Sequence, residues 1–261
     1  MMASHSARGE MQIRPGIELA SLTDIGCQRQ NNEDNYSYWE PANEEAFRQK
    51  GRLVIVADGM GGYEGGQEAS RIAIQVIEEA YANHEGDTQS SLMAGFYAAH
   101  ERILQEAIKH PELHGMGTTC TAITLLERNL YYAHVGDSRL YMVRNGSISR
   151  LSRDDSYVSR LVENGVISFE EAEHHPQRHI LTAALGAGQE VAPDHPAQPI
   201  TLKNGDILVL CTDGLWSMVP DEELQHSVHT KNPSEACRDL VQLAKARGGP
   251  DNITLQIVRI S

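Results

Sequence analysis

Three stretches far apart in this 261-residue chain each place an aspartate at one end of a strongly apolar run. LVIVADGMGG sets Asp58 after the run 53–57, DILVLCTDGLW sets Asp213 after 207–212, and GGPDNITLQIV sets Asp251 before 253–258. Aspartate is depleted inside strands and favoured in turns, so one such residue says little. Three say more, because antiparallel neighbours put the C-terminal end of one strand beside the N-terminal end of the next. Asp58, Asp213 and Asp251 are therefore expected to meet at one edge of one sheet. Carboxylates gathered there repel one another unless cations neutralise them. Hard divalent ions with oxygen ligands, Mg²⁺ or Mn²⁺, are the natural occupants.

Other segments supply partners for such a cluster. The glycines of DGMGG at 58–62 let backbone approach an ion closely, and the Gly59 carbonyl is itself a candidate ligand. Alone, that run reads equally well as a turn before a helix. RQNNED at 29–34 is either a solvated loop or a phosphate-gripping Arg29 with Glu33 and Asp34 completing a metal cage. Asp137, in GDSR at 136–139, either stabilises a tight turn or holds a further cation. His174, His175 and His179 cluster in an irregular segment, but the 174–175 pair lacks helical ligand spacing and is followed by Pro176, which favours a surface flap over a transition-metal site. No GxSxG elbow, Walker loop or dinucleotide fingerprint is present.

The elements that must position these residues follow from periodicity. Strands are expected at 17–24, 36–38, 52–57, 118–126, 130–135, 138–144, 206–212 and 252–259. Ala69, Ile72, Ala73, Val76, Ile77, Ala80 and Tyr81 mark an amphipathic helix over 67–82; Leu92, Phe96, Ala99, Ile103 and Ala107 mark another, ended near Pro111. Further helices are expected at 154–164, 221–228 and 234–246, with 165–200 irregular and mobile. Strands and helices come in blocks, which favours an antiparallel α+β layered fold, with helices covering two sheets packed face to face.

Composition narrows the setting. With 40% hydrophobic residues the chain can bury a core, and no repeat or linker divides it, so a single domain over 16–261 is expected after a disordered leader, 1–15. A net charge of −14 argues against nucleic acid and anionic membranes as partners. Cys27, Cys120, Cys211 and Cys237 form no CxxC pair and read as buried, reduced thiols of a cytoplasmic protein. MMASHSARGEMQIRPG has no apolar core, so no secretory signal is expected.

Taken together, TDIGCQRQNNED, VADGMGG, MGTTCTAI, AHVGDSRLY, LSRDDSYV, LTAALG, CTDGLW and GGPDNIT resemble, in family order, the metal-dependent protein phosphatases of type 2C. The resemblance covers about residues 17 to 260 and is nearest to bacterial single-domain members that pair with Hanks-type kinases. It implies a four-layer α/β-β/α sandwich of two antiparallel sheets flanked by helices. It also implies hydrolysis of phosphoserine and phosphothreonine by metal-activated water, attacking in line without a covalent intermediate. By motif, Asp58 would bridge two core Mn²⁺ or Mg²⁺ ions, Gly59 would lend its carbonyl, and Asp213 and Asp251 would hold the first ion. Asp137 would serve a third, weaker ion. Arg29 would contact the phosphate, Glu33 and Asp34 would act through bound waters, and 165–190 would be the flap. Animal members carry a histidine, proposed as general acid, where this chain has Met60, which donates no proton; the general acid is therefore unassigned. The family often has His after the aspartate matching Asp155, where this chain has Ser156. Expected partners are phosphoproteins, a cognate serine/threonine kinase and its substrates, with the protein a monomer. Two rivals are a non-catalytic phosphoprotein-binding module on the same fold and a narrow regulator of one signalling partner.

Overall fold

Residues 53–57 are apolar without a break because both faces of their strand are covered. The strand is β3 (Arg52–Met60), and its side chains divide by parity. Leu53 and Ile55 pack one way, against Ala69, Ile72, Ile77, Phe96 and Ile103. Val54 and Val56 point the other way, into a layer shared with Leu208, Leu210, Val258 and Ile260. The computed structural model of the chain describes residues 13–61 and 64–261; residues 1–12, most of the expected leader, and Gly62 and Tyr63 lie outside the described residues.

The chain begins with β1 (Ile17–Asp24), β2 (Asp34–Trp39) and α1 (Glu44–Lys50). After β3 come the helices α2 (Gly65–Asn83) and α3 (Thr88–Lys109), then a meander of β4 (Gly117–Thr118), β5 (Cys120–Leu126), β6 (Asn129–Val135), β7 (Arg139–Arg144) and β8 (Ser147–Arg150). α4 (Tyr157–Glu163), α5 (Phe169–Glu173) and β9 (Ile200–Thr201) follow. β10 (Ile207–Cys211), α6 (Asp213–Trp216), α7 (Asp221–Thr230), α8 (Pro233–Ala246) and β11 (Ile253–Ile260) complete it. One sheet runs β1-β11-β10-β7-β8 and the other β2-β3-β5-β6-β9, with β4 paired to β3. The named strand pairs are antiparallel. α2 and α3 cover the outer face of the second sheet. α7 and α8 cover the first, against Val209, Leu255 and Ile257. The four-layer sandwich is thus the observed architecture.

Several short elements go beyond the periodicity. α1 buries no residue, so it carries no apolar stripe; Asn43 caps it by accepting from Ala46 N, and Gly51 at φ 65° ends it. β8 follows the Asn145-Gly146 turn as an edge strand of four residues. The segment 165–200 is not irregular throughout: Ser168 and Glu171 form a capping box at the start of α5. Isolated bridges also tie Leu185 to Thr118, Asp194 to His134, and Leu181 to Ser156. Arg14, within the expected leader, donates to the carbonyls of Pro41 at 2.6 Å and Ala42 at 2.7 Å. Cys120, Cys211 and Cys237 are buried; Cys27 is exposed, because its loop lies on the surface.

One buried amide stitches the sheets together. Gln256 of β11 donates through Nε2 to the Ser37 carbonyl at 3.0 Å and the Ile55 carbonyl at 2.7 Å, both in the opposite sheet. Its Oε1 accepts from Ser21 Oγ at 2.7 Å. Gln256→Leu removes these bonds without changing the side chain's size greatly, and should lower the unfolding free energy by about 1–3 kcal/mol. Urea titration of the two proteins measures it; an unchanged midpoint would show that the sheets need no polar stitch.

Candidate metal centre

The period-two rows that fill the space between the sheets end in polar residues at one end of the sandwich. On β3 the inward row is Val54, Val56, Asp58; its registered partners on β2 are Tyr38, Tyr36, Asp34. On β10 the row Leu208, Leu210 leads to Thr212, and on β11 Val258 and Gln256 lead to Thr254. Asp58 therefore belongs to one sheet, while Asp213 and Asp251 flank β10 and β11 of the other. The expectation of one edge of one sheet is corrected: the carboxylates meet across two sheets, because inward rows of facing sheets end at a common mouth.

Backbone contacts too close for side chains draw the loops together. A Cβ on Gly214 would run into the Asn252 carbonyl, one on Gly26 into the Asp251 carbonyl, and one on Gly59 into the Gly66 carbonyl. Asn252, which the sequence reading did not single out, organises the Arg29 loop. Its Oδ1 accepts from Glu33 N at 2.8 Å, and its Nδ2 donates to the carbonyls of Ile25 and Asn31, each at 3.0 Å. The signal was available in PDN, an amide directly following a site aspartate. The Glu33 carbonyl in turn accepts from Gly59 N at 3.2 Å and Ser70 Oγ at 2.6 Å. Arg29 Nη2 donates to Asp251 Oδ2 at 2.6 Å, with the arginine side chain 49% exposed.

Asp137 lies in the turn between β6 and β7 and is buried. Trp216 Nε1 donates to its carbonyl at 2.9 Å. The Arg139 guanidinium lies 3.6 Å from the centre of the Trp216 ring, held by Asp154 at 2.8 Å. Ser138 and Thr119 hydroxyls share a 2.6 Å hydrogen bond, and Thr119 Oγ1 accepts from Asp58 N at 3.2 Å. Asp137, remote from the strand-end aspartates in sequence, is thus joined to the Asp58 segment.

The electrostatics are those of crowded like charges. Desolvation, then Asp34, Asp213, Asp137 and Asp251, push the Asp58 carboxyl well above its ordinary range. Asp137 rises likewise, through desolvation and then Asp213 and Asp154. Asp213 is pushed up to about 6 by desolvation and then Asp251. Asp34 is pushed up to about 7 by desolvation, although Thr212 Oγ1 donates to its Oδ2 at 2.9 Å. Glu33 is raised by desolvation and Asp251, while the bond to Asp251 raises Arg29. Burial, and then Arg178, lower the pKa of the His179 imidazole against the pull of Asp251.

Among the described residues, no three His, Cys, Asp or Glu side chains converge as a ready-formed metal cage. The donor set nevertheless fits hard cations: it is all oxygen, and Asp34 Oδ1 and Asp213 Oδ1 are buried without a hydrogen-bond partner. An orphaned carboxylate oxygen in a cluster of carboxylates is satisfied by a cation more readily than by any donor the protein places there. Six of the eight predicted residues, Arg29, Glu33, Asp34, Asp58, Asp213 and Asp251, are linked by hydrogen bonds or by mutual electrostatic influence, and Asp137 joins them through Asp58 and Asp213. Gly59 sits within them by its place on β3.

Known proteins are similar to this chain over most of its length. The family profile described as protein phosphatase 2C matches residues 28–246. The serine/threonine protein phosphatase PstP of Mycobacterium tuberculosis is 36% identical over 94% of this chain and 45% of its own length, so the chain spans under half of that relative. Protein phosphatase PhpP of Streptococcus pneumoniae is 32% identical over 94% of this chain and 98% of its own. The crystal structure of the PstP catalytic domain in complex with two manganese ions superposes with a TM-score of 0.80, at 33% identity, over 94% of this chain and 98% of that one. A profile match over most of the chain, with a relative 32% identical over 94% of it, makes this chain a member of the protein phosphatase 2C family.

Proposed function

We propose that the chain is a metal-dependent protein phosphatase that hydrolyses phosphoserine and phosphothreonine in proteins. The observation that carries the reading is the pair of orphaned, buried carboxylate oxygens on Asp34 and Asp213, set beside Asp58 and an exposed Arg29. Asp58, Asp213, Asp251 and the Gly59 carbonyl would hold two core ions, Asp137 a third and weaker one, with Glu33 and Asp34 acting at longer range. Divalent ions in such a site supply Lewis acidity, lowering the pKa of water towards neutrality and offsetting phosphoryl charge.

The chain's own residues do the rest. Arg29 stands at the mouth on an exchangeable ion pair, so its fork can leave Asp251 for a phosphoryl oxygen. Asp34 is fixed by Thr212, which keeps the inner wall of the site acidic and excludes a second anion. Met60 donates no proton to the leaving alkoxide, which leaves that step to a group outside the DG motif. The flap, about 165–190, would shape access for protein substrates. The protein is proposed to meet phosphoproteins, including a cognate kinase and its substrates, as a cytoplasmic monomer, its net charge of −14 disfavouring nucleic acid. Among the described residues, no helix is long and apolar enough to cross a membrane.

Activity should require Mn²⁺ or Mg²⁺ and vanish with EDTA. Asp58→Asn should cut kcat about a hundredfold or more while the protein stays folded. Phosphopeptide hydrolysis that survives complete chelation would refute the mechanism. Arg29→Ala should cost about 2 kcal/mol in kcat/KM, roughly 30-fold, through loss of a charge-assisted bond. Steady-state kinetics on a phosphopeptide decide this, and unaltered values would leave Arg29 a loop residue.

The carboxylates also tie stability to pH. Asp213 at about 6 and Asp34 at about 7 stand above their unfolded value of 3.8, so their protonated forms favour the fold. That stabilisation is complete below about pH 4 and is lost as pH rises through 6 to 7. The metal-free protein should therefore melt at lower temperature at pH 7 than at pH 5. Mn²⁺ should flatten the slope, and Asp58→Asn should reduce it. Melting curves across that range, with EDTA or with Mn²⁺, measure it; a melting temperature that climbs with pH in EDTA would contradict the shifts.

A further inference from the structure

His134 is a fully buried histidine that the chemistry above does not use. It lies on β6, three residues before Asp137, and both ring nitrogens are engaged. Nε2 lies 2.9 Å from the Gly136 carbonyl, and Nδ1 lies 2.8 Å from Thr121 Oγ1. A carbonyl only accepts, so Nε2 carries the hydrogen. Burial pushes the imidazole's pKa down, against the pull of Asp155, Asp154 and Asp194, which keeps the ring neutral. Nδ1 is then an acceptor, and the Thr121 hydroxyl donates to it. This tautomer leaves no ring nitrogen unsatisfied.

The partner carbonyl is in an unusual position. Gly136 has φ 105°, and a Cβ there would collide with the Thr119 side chain, so the turn admits only glycine. The Gly136 carbonyl accepts a second bond, from Asp155 N at 2.7 Å, and Gly136 N donates to Asp155 Oδ2 at 3.1 Å. That carbonyl belongs to the peptide unit joining Gly136 to Asp137. Fixing its plane fixes the direction in which the Asp137 chain leaves the turn. The Asp155 carbonyl accepts from Thr182 N at 2.8 Å, so the same clamp reaches the base of the flap.

We infer that His134 is a positioning residue for Asp137: as a neutral Nε2–H donor to the Gly136 carbonyl it orients the peptide that aims the Asp137 carboxylate at the metal centre. The inference rests on the reading of Asp137 as a cation ligand, and it adds a residue outside the ligand set. Replacement of His134 by an apolar side chain leaves Asp155 N on the Gly136 carbonyl. It also lets Thr121 Oγ1 turn to the Ser138 carbonyl, 3.3 Å away. The turn then survives with one restraint fewer, and cation binding at Asp137 weakens without loss of the fold.

The test is calorimetric titration of Mn²⁺ into the metal-free full chain, with melting curves of the same samples. The proteins compared are wild type, Asp137→Ala, His134→Leu and His134→Gln. Asp137→Ala identifies the binding step that depends on that carboxylate. His134→Leu should weaken the same step on the order of tenfold and leave the other binding steps within about twofold. His134→Gln, whose amide can donate to Gly136 and accept from Thr121, should recover most of the loss. If Asp137→Ala binds Mn²⁺ as wild type does, the ligand reading of Asp137 falls and this proposal with it. If Asp137→Ala weakens a step that His134→Leu leaves intact, or if glutamine does no better than leucine, the positioning role alone is refuted. Should the leucine variant fail to fold, His134→Asn, long enough for Thr121 but not for the Gly136 carbonyl, takes its place and should weaken the same step.

Discussion

Like charges held close together in a poorly solvated place set the terms for this molecule. Two carboxylates about 4 Å apart repel by about 4 kcal/mol at an effective dielectric constant near 20. Here Asp34, Asp58, Asp137 and Asp213 all rise above their ordinary pKa, through burial first and the neighbouring carboxylates second. Among the described residues, the Arg29–Asp251 ion pair and a few hydroxyl, amide and backbone donors are what favours the cluster locally. The rest of the cohesion must come from elsewhere, and the three apolar layers supply it: helices on sheet, sheet on sheet, and sheet on helices. The cost of gathering the carboxylates is carried by burial along strands that run the length of the sandwich.

That arrangement explains why the inward rows change character at one end. Val54, Val56, Leu208, Leu210 and Val258 fill the middle, and the same rows finish in Asp58, Thr212 and Thr254. Threonine keeps the strand-forming branched shape while adding a hydroxyl, so the ladder need not break where the chemistry begins. Thr212 uses that hydroxyl twice, donating to Asp34 and accepting from Thr254 N at 3.0 Å. Strand geometry and site chemistry are continuous there.

Much of this was legible in the sequence, because the long strands and the helices 65–83 and 88–109 carry strong periodicities that packing only confirms. The aspartates stood out because they terminate those periodicities. What was illegible had no periodicity to show. α1 buries nothing, and α6 is four residues whose apolar members also fit the end of a strand. The assignment of Asp58 to a different sheet from Asp213 and Asp251 depends on which strands pair, and continuous apolar runs look alike in either sheet. PDN offered a signal at Asn252, but its role was illegible, since its three hydrogen bonds reach residues more than 200 positions away.

The site residues therefore fall into two kinds by what holds them. Asp58 and Asp34 sit opposite each other in a ladder, so they move only if β2 and β3 separate. Asp137 and Asp213 lie beyond ladder ends, in a turn and in a single helical turn, and depend on individual side chains for their aim. Trp216 joins these two directly, since it belongs to the short helix that Asp213 opens and donates to the Asp137 carbonyl. Arg139, stacked on that indole and fixed by Asp154, braces the link from the neighbouring strand. A single lost contact in this second set shifts one carboxylate without loosening the core, whereas the first set can be displaced only by unfolding. The carboxylate cluster is thus held by a strand ladder on the β2–β3 side and by individual side chains on the Asp137 side.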